Sequence, residues 1–424
     1  MSNFNLAFSV VFVVALIGMV GTKLWLASRQ IRHVAAHRKD VPVQFLQTIP
    51  LAAHQRAADY TVERTRLTMV EVVISAALLV ALTLLGGIQQ VELAVSDWLG
   101  RGYVGQMALV AIVVAITGAV DLPFDYIRHF VIEEKFGFNR MTKKLFFLDL
   151  VKGIVLGAAI GLPVLFVTLW LMNQAGALWW LWAWVLLVAF QMLVLILYPT
   201  FIAPLFNKFE PLKDEALRSR IENLMSRTGF AAKGLFVMDM DGSRRSAHGN
   251  AYFTGFGAAK RIVFFDTLLA RLSGNEIEAV LAHELGHFKR HHVIKRLIVT
   301  FVLSLVMLAL LGWLTQCVWF YEGLGVRPSL LGNNNGLALV LFMLALPVFM
   351  LFVTPLGSLS SRKHEFEADA FAASQTDPRD LVNALVKLYE DNASTLTPDP
   401  LYYAFYASHP SASQRIERLM QYAA

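Results

Sequence analysis

Seven long apolar runs are the strongest constraint that this sequence places on its fold. A helix needs roughly 17–25 apolar residues to cross the hydrocarbon layer of a membrane. Of the 424 residues, 56% are hydrophobic and only 16% are charged, whereas a soluble domain carries about 25% charged residues. The composition therefore excludes soluble, disordered and coiled-coil proteins and predicts a multi-pass, mainly α-helical membrane protein. The runs cover residues 5–27, 69–88, 106–124, 147–172, 178–204, 297–320 and 337–358.

The basic residues alternate between the loops that join these runs. Residues 28–68 contain seven Lys or Arg and residues 125–146 contain five, whereas 89–105 and 321–336 contain one each. Because short basic loops stay in the cytoplasm, we expect the amino terminus outside and the carboxyl terminus in the cytoplasm. The net charge of +6 then follows from topology and requires no nucleic-acid partner. The first run is expected to stay in the mature chain, because it has neither a preceding positive charge nor a small-x-small cleavage site before Arg29.

Two polar segments, 205–296 and 359–424, both lie on the cytoplasmic side in this topology. Each is too small for an independent core, so we expect them to pack together into one α+β unit against the membrane. A helix and three short strands are predicted in the first segment, over 212–228 and from Gly234, Asn250 and Arg261. The expected division is 1–204 with membrane helices one to five, 205–296 with the first part of the polar unit, 297–358 with helices six and seven, and 359–424 with the rest of the unit.

A metal-binding pattern lies in the first polar segment. Ser273 and Glu276 have the spacing of a capping box, and the helix that they open contains His283-Glu284-Leu-Gly-His287. Residues four apart project from one helix face, so the two imidazoles can hold one zinc ion. Glu284 is placed to take a proton from the attacking water. An exposed helix face with fortuitous histidines is the alternative interpretation.

The sequence after His287 predicts that the same helix continues into the sixth apolar run. A metal held by His283 and His287 would then lie close to the cytoplasmic interface, within reach of a membrane-bound substrate. The cluster expected to anchor this helix at the lipid headgroups is Lys289, Arg290, His291, His292, Lys295 and Arg296.

A catalytic zinc needs a third protein ligand, and acidic candidates follow the seventh run. Glu365 and Asp369 are four residues apart and share a helix face, whereas Glu367 points away. One of the pair could bind the metal while the other accepts a hydrogen bond from a ligand histidine. From spacing alone, a solvated run of charges explains these residues equally well.

With these motifs the chain resembles the type I CaaX prenyl proteases, a family of integral-membrane zinc proteases of gluzincin type. The resemblance covers nearly the whole chain, including the order of the seven runs. Its motifs are His283–His287 and Glu365–Asp369, together with Phe130-Val-Ile-Glu-Glu-Lys-Phe-Gly-Phe-Asn139, Pro199–Asn207, Asn250-Ala-Tyr-Phe-Thr-Gly-Phe-Gly257 and Ser408-His409-Pro410.

The resemblance implies a role for each candidate residue. His283, His287 and Glu365 become the ligands of one Zn²⁺ per chain, Glu284 the general base, and Asp369 the acid behind a ligand histidine. His409 becomes a donor to the oxyanion. The strand with Asn250 and Ala251 is implied to pair with the substrate backbone. Independently of the resemblance, Arg244 and Arg245 precede this strand and could contact a peptide carboxylate, with a solvated loop as the default interpretation.

The family fold implied is a barrel of seven membrane helices around a chamber, with the α+β catalytic domain on the cytoplasmic face. The implied activity is removal of the carboxyl-terminal tripeptide from prenylated proteins, in the endoplasmic reticulum of a eukaryote or the inner membrane of a bacterium. The expected partners are a peptide or protein substrate, prenylated or not, and the lipid bilayer, without nucleic acid. Broader proteolysis of membrane proteins by the same zinc site is the first alternative. A seven-helix transporter or receptor is disfavoured, because the runs contain few ionisable residues in mid-membrane.

Overall fold

Long helices form the amino-terminal half of the protein. The computed structural model describes residues 3–230, 234–239, 251–254, 261–330 and 332–423. Short π-helical turns at Arg128–Glu133 and Tyr198–Ile202 extend two of the helices. The helices of this half are α1 Asn3–Ala36, α2 Leu51–Leu82, α3 Gly87–Leu99, α4 Tyr103–Ile127, α5 Lys143–Gln174, α6 Trp179–Leu197 and α7 Ala203–Phe206.

A small sheet and further helices form the rest of the chain. The first polar segment contains β1 Lys208–Pro211, α8 Glu215–Thr228, β2 Leu235–Asp239, β3 Ala251–Thr254, β4 Arg261–Phe265, α9 Asp266–Arg271 and α10 Gly274–Lys289. After it come α11 His292–Leu314, α12 Val318–Gly323, α13 Asn335–Met350, α14 Thr354–Gln375, α15 Pro378–Asp391, α16 Pro400–Tyr406 and α17 Ala412–Tyr422.

Within the described residues, seven helical stretches are long and apolar enough to cross a membrane. Each contains most of one apolar run, which confirms the predicted number and order of spans. Several ends differ from the predicted runs. Helix α1 continues to Ala36 instead of residue 27, α2 covers Leu51–Leu82 instead of 69–88, and α11 ends at Leu314 instead of residue 320. After Leu82 a turn that contains Gly86, at φ 80°, leads into α3. The stretches are Phe4–Ala36, Leu51–Leu82, Tyr103–Glu133, Lys143–Gln174, Gly176–Phe206, His292–Leu314 and Asn335–Gln375.

The strands of the polar segment pair into one sheet in the order β1-β2-β4-β3. The β2–β4 pair is parallel, and the other two pairs are antiparallel. This order puts β3 at an edge, with Ala251 opposite Phe264 of β4. The three predicted strands are confirmed where the structure describes them.

A hydrophobic core joins the two polar segments. Ile221 and Leu281 from the first segment share one buried cluster with Leu385 and Leu419 from the second. A separate buried cluster lies among the membrane helices and includes Phe12 of α1. Packing of the first cluster fixes α10 against α14 and α15, and so sets the relative position of distant stretches of sequence.

The predicted continuity between the metal-binding helix and the sixth span is wrong. Helix α10 ends at Lys289, and α11 begins at His292. Between them His291 has φ 56°, in the left-handed region that an α-helix does not use. The break lets α11 leave at a new angle and turns His292 back toward the end of α10.

Candidate metal centre

The helix that carries His283 and His287 has the start that its sequence predicts. The Ser273 hydroxyl accepts from the backbone N–H of Glu276 at 3.4 Å, and the Glu276 carboxylate accepts from the N–H of Ser273 at 2.7 Å. The same carboxylate pairs with Lys387 of α15 at 2.8 Å. The two backbone N–H groups at the start of the helix thus have hydrogen-bond acceptors. The ion pair with Lys387 also links the helix to the second polar segment.

A glycine lets α10 and α14 approach closely beside the two histidines. A methyl group placed on Gly286 would lie 2.9 Å from Cα and 3.1 Å from the carbonyl oxygen of Ala368. Contact between backbones at this distance excludes any side chain larger than hydrogen. The approach brings Glu365, three residues before Ala368 on α14, to the imidazoles of α10.

Three potential metal-binding groups converge at this contact. The Nε2 atoms of His283 and His287 are 3.2 Å apart. The carboxylate oxygens of Glu365 lie 3.5 Å from Nε2 of His283 and 3.3 Å from Nε2 of His287. These three residues each offer a ligand atom within 4.8 Å of the others.

The donor set fits a catalytic metal ion. Glu365 is buried, and its Oε2 atom has no hydrogen-bond partner among the described residues. The oxygen is 3.8 Å from Nη1 of Arg415, too far for a hydrogen bond, and a metal ion bound to it would offset the cost of burying it. Two imidazoles and one carboxylate are the ligands of a known class of catalytic zinc sites.

A buried ion pair lies behind His283. The Nδ1 atom of His283 is 2.8 Å from Asp369 Oδ1, the geometry of an N–H donating to a carboxylate. Arg415 of α17 donates to both oxygens of Asp369 at 2.6 and 2.9 Å. Donation from Nδ1 leaves the lone pair of Nε2 free for a metal.

The same contacts determine the charge of His283 when no metal is bound. Burial lowers the pKa of His283, but the hydrogen bond to Asp369 and the nearby carboxylate of Glu365 outweigh burial and raise it to about 9. Metal binding therefore requires His283 to lose a proton at neutral pH.

His292 and Glu367, which were not predicted as ligands, form a hydrogen-bonded chain that ends at His287. The Nδ1 atom of His287 is 3.0 Å from Nδ1 of His292, and Nε2 of His292 is 2.9 Å from a carboxylate oxygen of Glu367. The ring of His364 stacks on His292 with centroids 4.1 Å apart. The predicted position of His292 at the lipid headgroups is wrong, because the residue is 1% exposed and faces the metal centre.

Glu284 and His409 face the cavity that the three metal-binding groups border. Burial raises the pKa of the Glu284 carboxyl above its ordinary value, against the opposing effect of the neighbouring histidines. His409 Nε2 lies 3.6 Å from Glu365, and His409 Nδ1 lies 2.9 Å from the Ser408 hydroxyl. The cavity has a volume of about 620 Å³, and its wall consists of His283, Glu284, His287, Arg296, Thr354, Gly357, Ser358, Ser361, Glu365, Ser408 and His409.

The position of His409 depends on α16, which is held at both ends. At the start of α16, the Asp399 carboxylate accepts from Nε and Nη2 of Arg29 at 3.2 and 2.9 Å. Gln30, also on α1, accepts from the Asp399 backbone N–H at 2.7 Å. At the end of α16, Arg362 donates to two backbone carbonyls at 2.8 and 3.1 Å. The first membrane helix and α14 together fix the segment that leads to His409.

The structure brings together six of the eight predicted site residues. His283, His287, Glu365, Glu284, Asp369 and His409 lie in or directly behind the cavity wall. Ala251 lies on the edge strand β3, where its backbone is opposite Phe264. Asn250 is outside the described residues, as are Arg244 and Arg245.

Sequence reasoning missed Arg415 and gave His292 and Glu367 no part in the site. Arg415 follows Asp369 by 46 residues, and His292 precedes Glu367 by 75. No helical spacing links residues so far apart. The signal in the sequence is that Arg415 shares the apolar face of α17 with Ala412 and Leu419, and an arginine on such a face indicates a partner of opposite charge.

A membrane-helix bundle joined to an H-E-x-x-H helix and a glutamate from a second helix defines the class of membrane metallopeptidases. The amino-terminal part matches the family model described as CAAX prenyl protease N-terminal, five membrane helices, over residues 30–208. Residues 211–423 match peptidase family M48. The chain belongs to peptidase family M48.

Individual relatives agree with the family models over most of the chain. The CAAX prenyl protease 1 of Saccharomyces cerevisiae is 38% identical over 321 residues, 72% of this chain and 70% of the relative. The CAAX prenyl protease 1 homolog of Dictyostelium discoideum is 38% identical over 305 residues, 72% and 70% of the two chains.

A solved structure gives the fold directly. The crystal structure of S. mikatae Ste24p matches with a TM-score of 0.89 and 30% identity, covering 97% of this chain and 99% of that one. The match confirms the expected fold class, a membrane-helix barrel around a chamber with an α+β catalytic domain. The chain is a multi-pass membrane metalloprotease that acts on peptides or proteins.

Proposed function

We propose that this protein is a zinc metalloendopeptidase that removes the carboxyl-terminal tripeptide from prenylated CaaX proteins at the cytoplasmic face of a membrane. The observation that carries the proposal is the shared cavity, because three metal-binding groups, the acid Glu284 and the donor His409 all border it. The relatives named CAAX prenyl protease 1 support the substrate class.

One Zn²⁺ per chain would be held by His283, His287 and Glu365. A site with three protein ligands leaves a position open for water and substrate, as catalytic zinc requires. Zinc bound there would supply Lewis-acid polarisation of the scissile carbonyl and would lower the pKa of the attacking water. Asp369 and His292 hydrogen-bond to the far nitrogens of the two histidines and keep both rings oriented.

The side chains around the cavity would carry the proton transfers. Glu284 takes one proton from the attacking water as the water oxygen bonds to the scissile carbonyl carbon. His409 donates an N–H to the carbonyl oxygen as negative charge develops on it. Glu284 then passes its proton to the leaving nitrogen as the C–N bond breaks. The second proton of the water stays on the new carboxylic acid, and acid and amine products exchange it to become a carboxylate and an ammonium group. The hydrogen bond to Ser408 fixes the ring of His409 for this donation.

We assign substrate alignment to Asn250 and Ala251, of which Ala251 is the first residue of strand β3. The edge position of β3 supports this assignment, because the strand has one neighbour in the sheet and its other side can pair with an extended peptide. Backbone pairing would fix the register of the peptide, and the cavity would receive the residues beyond the scissile bond.

The cytoplasmic orientation is supported by the contacts of the basic loops. Phe136 and Phe138, from the basic loop before α5, pack in one cluster with Ala393 after α15. The basic loop after α1 contributes Phe45 to a cluster with Val386 of α15. These contacts support a metal centre on the same side as both basic loops, which the positive-inside rule assigns to the cytoplasm. We treat residues 205–296 and 359–424 as two parts of one protease unit on that side, with 1–204 and 297–358 as the membrane part.

Peptide cleavage tests this function. Purified protein in detergent with zinc is incubated with a farnesylated CaaX peptide and its unfarnesylated twin, and the products are mapped by mass spectrometry. Glu284→Gln is the matched variant, because it keeps the shape of the side chain and removes its basicity. We expect cleavage after the prenyl-cysteine, preference for the lipidated peptide, and loss of cleavage in the variant.

Other outcomes would change the assignment. Cleavage that depends on Glu284 but ignores the lipid would favour broader proteolysis of membrane proteins by the same site. Cleavage of either peptide by Glu284→Gln at the wild-type rate would contradict the assignment of the base.

A further inference from the structure

The cavity of the metal centre contains one guanidinium that neither the metal site nor the proton transfers use. Among the described residues of its wall, Arg296 is the only Lys or Arg. The other polar side chains there are the metal-centre acids and histidines, and the hydroxyls of Thr354, Ser358, Ser361 and Ser408. A cation in such a setting is suited to an anionic group of a bound ligand.

Arg296 differs from the arginines that stabilise the fold. Arg29, Arg128 and Arg415 each bind a carboxylate within 3 Å. Arg296 is exposed and makes no hydrogen bond or ion pair with another described residue. Its five N–H donors are therefore available, in the planar fork that matches a carboxylate with two parallel hydrogen bonds.

The helix geometry locates Arg296 relative to the metal-binding groups. His292, whose ring contacts His287 at 3.0 Å, lies four residues before Arg296 on α11. Residues four apart share a helix face and are separated by about 6 Å along the axis. Arg296 is thus one helical turn beyond the residue that supports a metal ligand, on the same side of α11.

The proposed substrate ends in an anionic group close to its scissile bond. A CaaX chain ends in a free α-carboxylate three residues beyond the scissile bond, and three extended residues span about 10 Å. The cavity volume of about 620 Å³ lies in the usual range of ligand sites, roughly 300–1,000 Å³.

We propose that Arg296 binds the carboxyl-terminal α-carboxylate of the substrate and so favours cleavage at the third bond from the chain end. This inference rests on the proposed function and deepens it, because it assigns the residue that recognises a free carboxyl terminus. Arg296 acts as a specificity determinant and takes no part in proton transfer.

The test compares two farnesylated CaaX peptides that differ only at the carboxyl terminus, one a free acid and the other a primary amide. The ratio of kcat/KM for acid over amide is measured for wild type, Arg296→Gln, Arg296→Lys and Lys295→Gln. Lys295 is the matched control, because it is the adjacent exposed cation but is not part of the described cavity wall.

We expect wild type and Lys295→Gln to favour the acid by about 10- to 100-fold, the effect of a charge-assisted hydrogen bond. The ratio should fall to near one in Arg296→Gln and take an intermediate value in Arg296→Lys. Metal content and the unfolding temperature of each variant show whether the fold is intact, and the ratio within one variant is independent of the active fraction.

Three outcomes would overturn the inference. A wild-type ratio near one would show that the terminal carboxylate is not recognised. Equal loss of acid and amide cleavage in Arg296→Gln would indicate a general role, such as contact with lipid headgroups. If the wild type cleaves neither peptide, the proposed function itself is wrong. Equal cleavage of both peptides would overturn only the role of Arg296.

Discussion

Arg415 and Asp369 form a two-point ion pair directly behind His283, one of the three proposed metal ligands. The guanidinium reaches both carboxylate oxygens, at 2.6 and 2.9 Å, and both residues are buried. Breaking a buried pair leaves one charge uncompensated, which costs more than the pair itself contributes. The ion pair therefore couples the stability of α17 to the orientation of a metal ligand.

Replacing Arg415 tests this coupling. We expect Arg415→Ala to lower the free energy of unfolding by about 3–5 kcal/mol and metal affinity by roughly 10- to 100-fold. Arg271→Ala is the control. Arg271 also donates hydrogen bonds to a carboxylate, that of Asp391, but its guanidinium is exposed to solvent, unlike that of Arg415. Surface pairs contribute about 0–1 kcal/mol. Denaturant unfolding and metal analysis measure both effects, and equal destabilisation by the two substitutions would contradict the account.

The close contact at Gly286 is predicted to be necessary for metal binding. In Gly286→Ala the added methyl group would lie 2.9 Å from the backbone of Ala368, so α10 must move away from α14. That movement separates His283 and His287 from Glu365, and we expect metal content and activity to fall together.

Gly274→Ala is the matched control in the same helix. A methyl group there would meet only the Arg220 side chain, at an ordinary distance of 3.6 Å. We expect this variant to retain its metal. Full metal occupancy in Gly286→Ala would show that the contact is not required.

Metal binding is predicted to release a proton. Because the pKa of His283 is raised to about 9 in the metal-free protein, the residue is protonated at pH 7 and must deprotonate to bind metal. We expect release of about one proton at pH 7 and a Kd that falls roughly tenfold per pH unit between pH 7 and 9. Titration calorimetry in buffers of different ionisation enthalpy counts the protons, and a binding enthalpy independent of buffer would refute the prediction.

The same shift has a consequence for stability. A histidine pKa raised from 6.5 to about 9 stabilises the folded, metal-free protein fully below pH 6.5, and this contribution is lost as the pH rises through 9. We expect the unfolding temperature of metal-free protein to fall over that range, and to fall less in Asp369→Asn, which lacks the acid beside His283. Identical profiles for the two proteins would argue against Asp369 as the partner.

The ion pair between Arg29 and Asp399 is predicted to act on catalysis from the first membrane helix. Arg29→Ala removes two hydrogen bonds at the start of α16, so the segment that leads to His409 loses one of its anchors. We expect kcat to fall about 10- to 100-fold, as for a misplaced catalytic group, with little change in KM or metal content and partial rescue by Arg29→Lys.

Arg38→Ala provides the control for this prediction. Arg38 forms a similar two-point pair with Asp59, at 2.8 Å for both contacts, but Asp59 lies on α2 and not on α16. We expect its kcat to stay within about twofold of wild type, since the exposed pair contributes little. Equal kcat values for Arg29→Ala and Arg38→Ala would exclude a specific effect through α16.

Local patterns in the sequence predict much of the fold and two of the three proposed metal ligands, His283 and His287. The apolar runs predict seven spans, and the capping box with the i, i+4 histidines predicts α10 and its ligand face, because each feature depends on residues close in sequence. Glu365 was ambiguous from spacing, since its role depends on how α14 packs against Gly286 of α10. The resemblance to the CaaX prenyl proteases implied that Glu365 is the third ligand, a choice that spacing alone left open.

The remaining features depend on contacts between distant segments. Arg415 reaches Asp369 only because α17 packs in the same core as α10 and α15. The predicted continuation of α10 into the sixth span failed at His291, where one left-handed residue redirects the chain and turns His292 toward His287. A run of helix-compatible residues gives no local signal for such a break.

Anomalous diffraction from crystals at the zinc absorption edge tests the central claim most directly. We expect one zinc peak per chain, within about 2.0–2.2 Å of Nε2 of His283, Nε2 of His287 and a carboxylate oxygen of Glu365. The peak should disappear in Glu365→Ala and remain in Glu284→Gln, because Glu284 is not a ligand. Active crystals without a peak at this position, or a peak that survives removal of Glu365 unchanged, would contradict the assignment of the site.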